Sequence, residues 1–150
     1  MNLERYKYAA NESLQTYEFV SQGPNGKIRK IIRYSPQNVD GVTYFNIAFG
    51  DIIPRSRYLN DLSISDNKDT EKILATIAAT VLEFTEHFPD MMVYAKGSTP
   101  ARTRLYQMGI SAHWNEIVLA LNVFGFINNK WEPFEKRVNY EAFLAIRKKS

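Results

Sequence analysis

The sequence predicts an α+β fold, in which a mostly antiparallel sheet packs against one long and one short helix. Three observations predict it. Alternating apolar runs separated by turn signals fill the first fifty residues, a helical apolar repeat covers 70–88, and a short apolar strand leads into a capped helix. A length of 150 residues is enough to bury a proper core, so we expect a single domain over 1–150.

The first third of the chain is predicted to form an antiparallel meander. Turn signals at Gly23–Gly26 and Asp40-Gly41 divide it. Three strands are therefore expected, over 16–21, 27–34 and 42–50. The basic side chains of the second strand are expected on a solvated edge or face. Residues 1–14 are expected to be irregular or briefly helical, and Asp61–Ser65 to form a short fourth strand.

The clearest element is a helix over 70–88. Its apolar residues recur every three or four positions, which is the pattern of a helix with one buried face. Asp69 and Glu71 suit the positive end of the helix dipole, and Pro89 ends the helix. The next apolar run, over 91–96, is expected to be a buried strand. If it lies parallel to the strand before the helix, the unit is a right-handed crossover.

The stretch after this strand marks both ends of a short helix over 100–108. Ser98 or Thr99 can cap it, a proline suits its first position, and Gly109 is a natural end. Gly97 is expected to permit a backbone conformation that a side chain would oppose. One face of the helix is expected to pack on the sheet, and it consists of Ala101, Leu105 and Met108.

This helix start is the strongest candidate for a binding site. A helix N-terminus offers unpaired N–H groups and a partial positive charge, and three cationic side chains lie next to it in sequence. Together these groups could hold a small phosphate- or carboxylate-bearing ligand. The stretch is not a P-loop, because that glycine and lysine spacing is absent. The predicted ligand-binding residues are Lys96, Gly97, Ser98, Thr99, Arg102 and Arg104.

Two other interpretations remain open. The arginines could be solvated, or could pair with the acidic helix before them. The chain could also be a non-catalytic module that binds a protein or nucleic acid, since an acidic segment over 59–90 lies between two basic ones. Tyrosines next to basic residues could then stack on bases, although a partly buried sheet explains them equally well. These tyrosines are Tyr6, Tyr8, Tyr17, Tyr34 and Tyr44.

Composition removes several classes of function. The absence of cysteine excludes disulfides and thiolate catalysis, and two histidines are too few for a multi-histidine metal site. Asp51, Asp61 and Asp66 could gather around a divalent ion, but loop aspartates usually serve turns and caps, so no metal site is predicted. No apolar run reaches the length of a membrane span, and a cytoplasmic protein without membrane contact is the simplest expectation.

The last third of the chain is less regular in pattern. Residues 112–126 fit both a helix and a strand, and a short helical turn followed by a strand is favoured. Asn128-Asn129 is expected to form a turn, Trp131–Phe134 to be irregular, and Ala142–Ile146 to form a last strand.

A resemblance covers nearly the whole chain. The motif Lys-Gly-Ser-Thr-x-x-Arg-Thr-Arg-Leu-Tyr over 96–106, with Trp131–Phe134 and Tyr140–Phe143 further on, resembles a family of uncharacterised bacterial proteins of about this length. That resemblance implies no established activity.

The order of elements over 42–110 is similar to the GNAT N-acetyltransferase superfamily, a layered sandwich. In that superfamily a helix similar to the one around Leu105-Tyr106 and Gly109-Ile110 often carries a tyrosine that acts as general acid. The resemblance therefore implies Tyr106 as a catalytic residue. Ile110 stands where the superfamily usually has phenylalanine.

The resemblance does not extend to the cofactor loop. GNAT enzymes bind the pyrophosphate of acetyl-CoA with a Gly-rich loop at the start of the long helix. Here residues 65–71 contain no glycine and three acidic residues, which would repel a pyrophosphate. Acetyl-CoA is therefore disfavoured as a cofactor, and the sequence indicates no other. It also indicates neither a substrate nor an oligomeric state.

Overall fold

The described residues form one eight-stranded sheet with three helices. The structure is a computed structural model that describes residues 4–52 and 66–149. The strands are β1 (Ala9–Ala10), β2 (Thr16–Gly23), β3 (Gly26–Val39), β4 (Val42–Asp51), β5 (Met92–Ala95), β6 (Leu121–Ile127), β7 (Lys130–Pro133) and β8 (Ala142–Arg147). The helices are α1 (Thr70–His87), α2 (Pro100–Ala112) and α3 (Trp114–Ala120).

The sheet is mostly antiparallel, which confirms the predicted α+β class. Its strand order is β1-β2-β3-β4-β5-β8-β6-β7, and β4 pairs with β5 in parallel. The predicted meander is confirmed as β2, β3 and β4. Gly26 and Gly41 occupy its two turns with φ of 84° and 82°, a backbone region that glycine enters without steric cost.

The helices lie on one face of the sheet because of the connections between strands. α1 is confirmed as the long predicted helix, and it links the parallel strands β4 and β5 as a crossover. β6 is also parallel to β5, since β8 lies between them and is antiparallel to both, so α2 and α3 form a second crossover in the same direction. Crossovers of one hand and one direction place their helices on one face.

Side-chain packing agrees with this placement. Leu74 of α1, Tyr106 of α2 and Ile117 of α3 line a common space against the same face of the sheet. The residues that the structure describes put no helix on the other face. The GNAT-like layering is therefore not confirmed, although the α+β class is.

Aromatic residues fill the core beneath α1. Tyr17 and Tyr34 are buried and meet edge to face, with 5.7 Å between their ring centroids. Phe84 of α1 stacks on Tyr34 at 4.2 Å. Tyr17 and Tyr34 of the meander thus serve the core, as expected of a partly buried sheet.

One basic residue of β3 contradicts the expectation of a solvated face. Lys30 is fully buried and forms an ion pair with Asp51, the last residue of β4. Strand alternation explains this position, because Lys30 points to the same side as the buried Ile32 and Tyr34. The neighbouring Arg29 is exposed, as predicted.

The predicted end of the short helix is wrong, and its predicted packing face is right only at Leu105, which is half-buried against α1 and the sheet. α2 continues past Gly109, which is buried where α2 crosses α1. A Cβ there would lie only 3.4 Å from Leu74 Cδ2, so the glycine permits close helix packing instead of ending the helix. Ala101 and Met108 are exposed, and the buried face is formed by residues such as Thr103.

Several smaller predictions are settled by the same structure. The lead-in over 1–14 was expected to lack strands, yet Ala9–Ala10 adds to the edge of β2. Trp131–Phe134 was expected to be irregular, yet β7 pairs with β6. The favoured order of a short helix followed by a strand within 112–126 is confirmed by α3 and β6. The strand expected over Asp61–Ser65 lies outside the described residues.

Candidate functional site

A cleft opens where β5 leaves β4. The two strands pair only as far as Ile47 and Ala95, while β4 continues to Asp51. The chain after β5 instead turns through 96–99 into α2. The resulting space of about 280 Å³, which we call the splay cleft, is lined by parts of β3 and β4 on one side and by residues 96–98 and α2 on the other.

The splay cleft passes through a gap in the sheet. By strand alternation, Arg33 and Asn46 belong to the face without helices, whereas Ile47 belongs to the helix-covered face. All three line the cleft, together with Tyr106 of α2. A ligand in this gap could therefore reach from solvent towards the interior between the helices and the sheet.

Three cationic side chains line the splay cleft, and no carboxylate lies among the described residues of its lining. They are Arg33 of β3, Lys96 after β5, and Arg102 of α2. Within 4–52 and 66–149, none of the three forms an ion pair with an acidic residue. Arg102 Nη1 donates to Ser98 Oγ at 3.0 Å. The cleft is therefore a place where positive charge is gathered without a counter-charge.

The backbone N–H groups at the start of α2 donate hydrogen bonds largely to side chains of the same segment. Thr99 is the N-cap, and its hydroxyl accepts a hydrogen bond from the Arg102 amide at 3.2 Å. The Gly97 amide donates to Thr103 Oγ1 at 3.0 Å. The predicted cradle of free helix amides is thus only partly available, and side chains would supply most of the contacts to an anion.

Gly97 is required by a close approach between this turn and the helix. A Cβ at this position would lie 2.4 Å from the Thr103 amide nitrogen and 2.4 Å from Arg102 Cβ. No side chain fits at such distances. The expectation of an unusual backbone conformation at Gly97 is wrong, since its φ is not positive, and the glycine is needed because of steric contact with the first turn of α2.

The structure divides the predicted site residues between two surfaces. Lys96, Gly97, Ser98 and Arg102 line the splay cleft with Tyr106. A second groove on the outer side of α2 contains Thr99 and Arg104 beside the segment 139–141, and Lys96, Gly97 and Ser98 line this groove as well. Arg104 is exposed there and shares the groove with Glu141. Arg102 therefore lines only the splay cleft and Arg104 only the outer groove, while Lys96, Gly97 and Ser98 lie between the two.

Tyr106 stands at the inner end of the splay cleft. Its ring packs against the core, and its hydroxyl lies 3.5 Å from the Ile47 carbonyl oxygen. Burial raises the pKa of the Tyr106 hydroxyl, and the nearby Arg102 lowers it only in part. The hydroxyl consequently keeps its proton at neutral pH, which suits a hydrogen-bond donor or a general acid but not a base.

Sequence analysis missed the contribution of β3 and β4 to this site. Arg33, Ser35, Gln37 and Asn46 line the splay cleft from these strands. Their alternation with buried residues indicated that they share one face. Nothing in the linear sequence indicated that this face lies beside the start of α2.

The start of α1, where the GNAT resemblance would place a pyrophosphate loop, has a structural role. Asp69 Oδ2 accepts hydrogen bonds from the Tyr6 and Ser21 hydroxyls, each at 2.5 Å. The buried Asn67 donates to Ser21 Oγ at 3.1 Å and to the Gly26 carbonyl oxygen at 2.9 Å. These bonds fasten the β2–β3 hairpin to the helix start, although the buried Asp69 Oδ1 has no hydrogen-bond partner among the described residues.

Aromatic side chains lie on the face of the sheet without helices. Tyr44 and Tyr94 meet edge to face at 5.5 Å, Tyr94 and Trp131 at 6.2 Å, and Trp131 and Phe126 at 5.1 Å. The side chain of Trp131 is 41% exposed. We call Tyr44, Tyr94, Phe126 and Trp131 the aromatic row. Of the five tyrosines considered from sequence, only Tyr44 belongs to it.

Two features of the described residues concern metal binding and membrane insertion. Residues 4–52 and 66–149 contain no cluster of three or more histidine, aspartate or glutamate side chains arranged around a common point. Asp51, one of the aspartates considered, is paired with Lys30. None of the described helices is both long and apolar enough to cross a bilayer.

A comparison with known families covers almost the entire chain. A profile of a family of unknown function, DUF6934, matches residues 2–148. The chain belongs to this family. The matched range contains both the splay cleft and the aromatic row, so a DUF6934 domain includes the whole candidate site. No curated protein and no solved structure matched the chain.

Proposed function

We propose that the chain binds a small phosphate- or carboxylate-bearing ligand in the splay cleft. The observation that carries this proposal is the convergence of Arg33, Lys96 and Arg102 on a cleft whose described lining residues include no acidic one. Uncompensated cations around a concave site attract an anion by direct charge pairing and by the field of the cleft.

The side chains provide different kinds of contact. The guanidinium groups of Arg33 and Arg102 can each hold two oxygens of a phosphate or carboxylate, while Lys96 supplies a point charge. Ser98 positions Arg102 through their hydrogen bond. Tyr106 can donate a hydrogen bond from the inner end of the cleft.

The arrangement of the strands and helices supports an origin shared with the acyltransferases, whereas the start of α1 argues against it. The parallel β4–β5 pair that separates at its end, with α1 between the strands and α2 after them, agrees with the GNAT resemblance. At the start of α1, however, Asp69 and Asn67 are engaged in structural hydrogen bonds. We therefore favour ligand binding without acetyl-CoA, with Tyr106 as the general acid if the bound ligand reacts.

A matched pair of arginine variants tests this proposal. Inorganic phosphate and acetate would be titrated into the wild type, Arg102→Ala and Arg104→Ala, with binding followed by calorimetry. A hydrogen-bonded charge pair contributes enough that Arg102→Ala should weaken binding about 10- to 100-fold. Arg104→Ala removes the same charge from the outer groove and should change affinity less than about threefold. Equal losses in both variants, or no binding by the wild type, would contradict the proposal.

A second candidate function is binding of single-stranded nucleic acid on the face without helices. The aromatic row favours it, because aromatic rings on the open face of a sheet can stack on bases, and Arg33 belongs to the same face. Binding of an oligothymidine should weaken steeply with salt and weaken further in Trp131→Ala. Arg33→Ala removes one positive charge from this face of the sheet. Arg104→Ala removes the same charge from the outer groove and is its control. No binding of the oligonucleotide at low salt would remove this candidate.

A further inference from the structure

A second cavity lies directly inside the splay cleft. It occupies about 70 Å³ between the helices and the sheet. The two spaces share four lining residues, which are Ile47, Ile77, Leu105 and Tyr106. They are therefore contiguous, and we call the inner one the tail cavity.

The tail cavity differs from the splay cleft in its chemistry. Apart from Tyr106, every side chain that lines it is apolar, and the lining includes Ala78 of α1 and Ala145 of β8. A cavity of this kind stays dry, because a water molecule in it would find too few polar partners. It suits a hydrocarbon group that enters from the cationic cleft.

We propose that the ligand of the splay cleft is a small anion with a short, unbranched hydrocarbon tail. The phosphate or carboxylate head would contact Arg33, Lys96 and Arg102, and the tail would pass Tyr106 into the tail cavity. This inference rests on the proposed function, since the head group must bind in the splay cleft.

The size of the tail cavity limits the tail. An apolar cavity of about 150 Å³ accepts benzene, so one of about half that volume holds roughly three carbon atoms. Each buried methylene should strengthen binding about fourfold until the space is full. An aromatic tail should gain nothing, because a ring is too large for the space.

A homologous series of ligands tests the length limit. Methyl, ethyl, propyl, butyl and hexyl phosphate would be titrated into the wild type beside inorganic phosphate, and the matching alkanoates would distinguish a carboxylate from a phosphate head. Affinity is expected to rise about fourfold per carbon up to propyl and then to level off. Phenyl phosphate should bind no better than methyl phosphate.

Variants at two adjacent positions of α1 distinguish the effect of filling the tail cavity from a general effect of substitution on the helix. Ala78 and Ala79 both line a groove on another side of α1, but only Ala78 also lines the tail cavity. Ala78→Leu should fill the cavity and remove the gain along the series while inorganic phosphate still binds. Ala79→Leu should keep the gain. If Ala78→Leu fails to fold, Ala145→Val fills the same space from β8.

The outcomes distinguish this inference from the proposed function. Binding of inorganic phosphate with no gain from methyl to propyl, or a gain that survives both cavity-filling variants, overturns the inference and leaves the proposed function intact. Failure of every anion to bind overturns both. A rise that continues through hexyl phosphate also overturns the inference, because a longer tail would need a different site.

Discussion

The Arg102 guanidinium donates a hydrogen bond to the Ser98 hydroxyl at 3.0 Å, one turn back along the chain. The next residue, Thr99, uses its hydroxyl differently and caps α2 by accepting from the Arg102 amide. Two adjacent hydroxyls thus serve two purposes. Ser98 positions a cation of the splay cleft, and Thr99 stabilises the helix that carries it.

This division predicts different effects for two similar substitutions. Ser98→Ala should weaken phosphate binding about 2- to 10-fold, because Arg102 loses one ordering hydrogen bond. Thr99→Ala should instead lower the free energy of unfolding by about 1 kcal/mol through the lost cap. Calorimetric titration and urea unfolding of both variants measure the two effects. A Ser98→Ala variant that loses stability but keeps full affinity would show that the hydroxyl is only structural.

The buried pair of Lys30 and Asp51 predicts a large loss of stability when one partner is removed. Lys30→Met leaves a buried carboxylate without this cation and should lower the free energy of unfolding by about 3–5 kcal/mol. Lys30→Met/Asp51→Leu should recover most of that loss, since an apolar pair needs no charge compensation.

The neighbouring pair of Arg29 and Glu18 is the control for that experiment. Its atoms lie 2.9 Å apart, but both side chains are well exposed. Arg29→Ala should therefore cost less than about 1 kcal/mol in urea unfolding. Similar losses for Lys30→Met and Arg29→Ala would mean that Lys30 is solvated.

Tyr17 and Tyr34, the core tyrosines that meet edge to face, should respond oppositely to loss of the hydroxyl. Among the described residues the buried Tyr17 hydroxyl has no hydrogen-bond partner, whereas the Tyr34 hydroxyl lies 2.9 Å from Thr80 Oγ1. Tyr17→Phe should raise the free energy of unfolding by up to about 1 kcal/mol, and Tyr34→Phe should lower it by about 1 kcal/mol. Thermal unfolding of both variants is the measurement. If Tyr17→Phe destabilised the protein as much as Tyr34→Phe, the conclusion that the Tyr17 hydroxyl lacks a hydrogen-bond partner would be contradicted.

His113 predicts a dependence of stability on pH. Burial lowers the pKa of His113, and the nearby Glu116 offsets this only in part. In the unfolded chain its pKa returns to about 6.5, so the unfolded state binds more protons as pH falls below that value. Stability should therefore be complete above about pH 6.5 and fall towards the lower folded pKa, by at most about 1.4 kcal/mol per pH unit.

Removing His113 should flatten this dependence. His113→Gln is expected to cost some stability at every pH, yet its unfolding free energy should change less between pH 7 and 5.5 than that of the wild type. His87→Gln, at an exposed position on α1, should keep the wild-type slope. An unchanged slope in His113→Gln would assign the pH dependence to other groups.

Local sequence patterns predicted the helices and strands that depend least on tertiary contacts. The meander and α1 have regular apolar periods, and Gly26 and Gly41 mark turns that demand positive φ. β7 was missed because Pro133 suggested irregular structure. Asn128 and Asn129 both adopt positive φ, which is the geometry of a tight hairpin turn, so this pair was the signal for the missing strand.

Errors occurred where tertiary contacts decide the outcome. Gly109 was taken as a helix end because glycine often ends helices, but the crossing with Leu74 of α1 gives it a place inside α2. Lys30 was placed in solvent because lysine is rarely buried. Its alternation with Ile32 and Tyr34 indicated burial, but its partner Asp51 lies on a different strand and could not be inferred from the spacing.

About half of the candidate site could be predicted. Lys96, Ser98 and Arg102 follow β5 directly, so their grouping is local in sequence and could be inferred from the helix start. Arg33 joins them only because β4 extends beyond β5 and leaves a gap in the sheet. That gap exists because the two paired strands have unequal lengths. The apolar periodicity of the sequence does not predict where the pairing of two strands ends.

The central claim is that Arg33 and Arg102 hold one anion in the splay cleft. The most direct measurement is a phosphate titration of the ¹⁵N-labelled protein, followed through the Nε–H resonances of the arginine side chains. The account predicts saturable shifts of the Arg33 and Arg102 resonances with the same dissociation constant, while the Arg104 resonance on the outer groove stays in place. Parallel, unsaturable drift of all arginines, or shifts of Arg104 without Arg33, would contradict it.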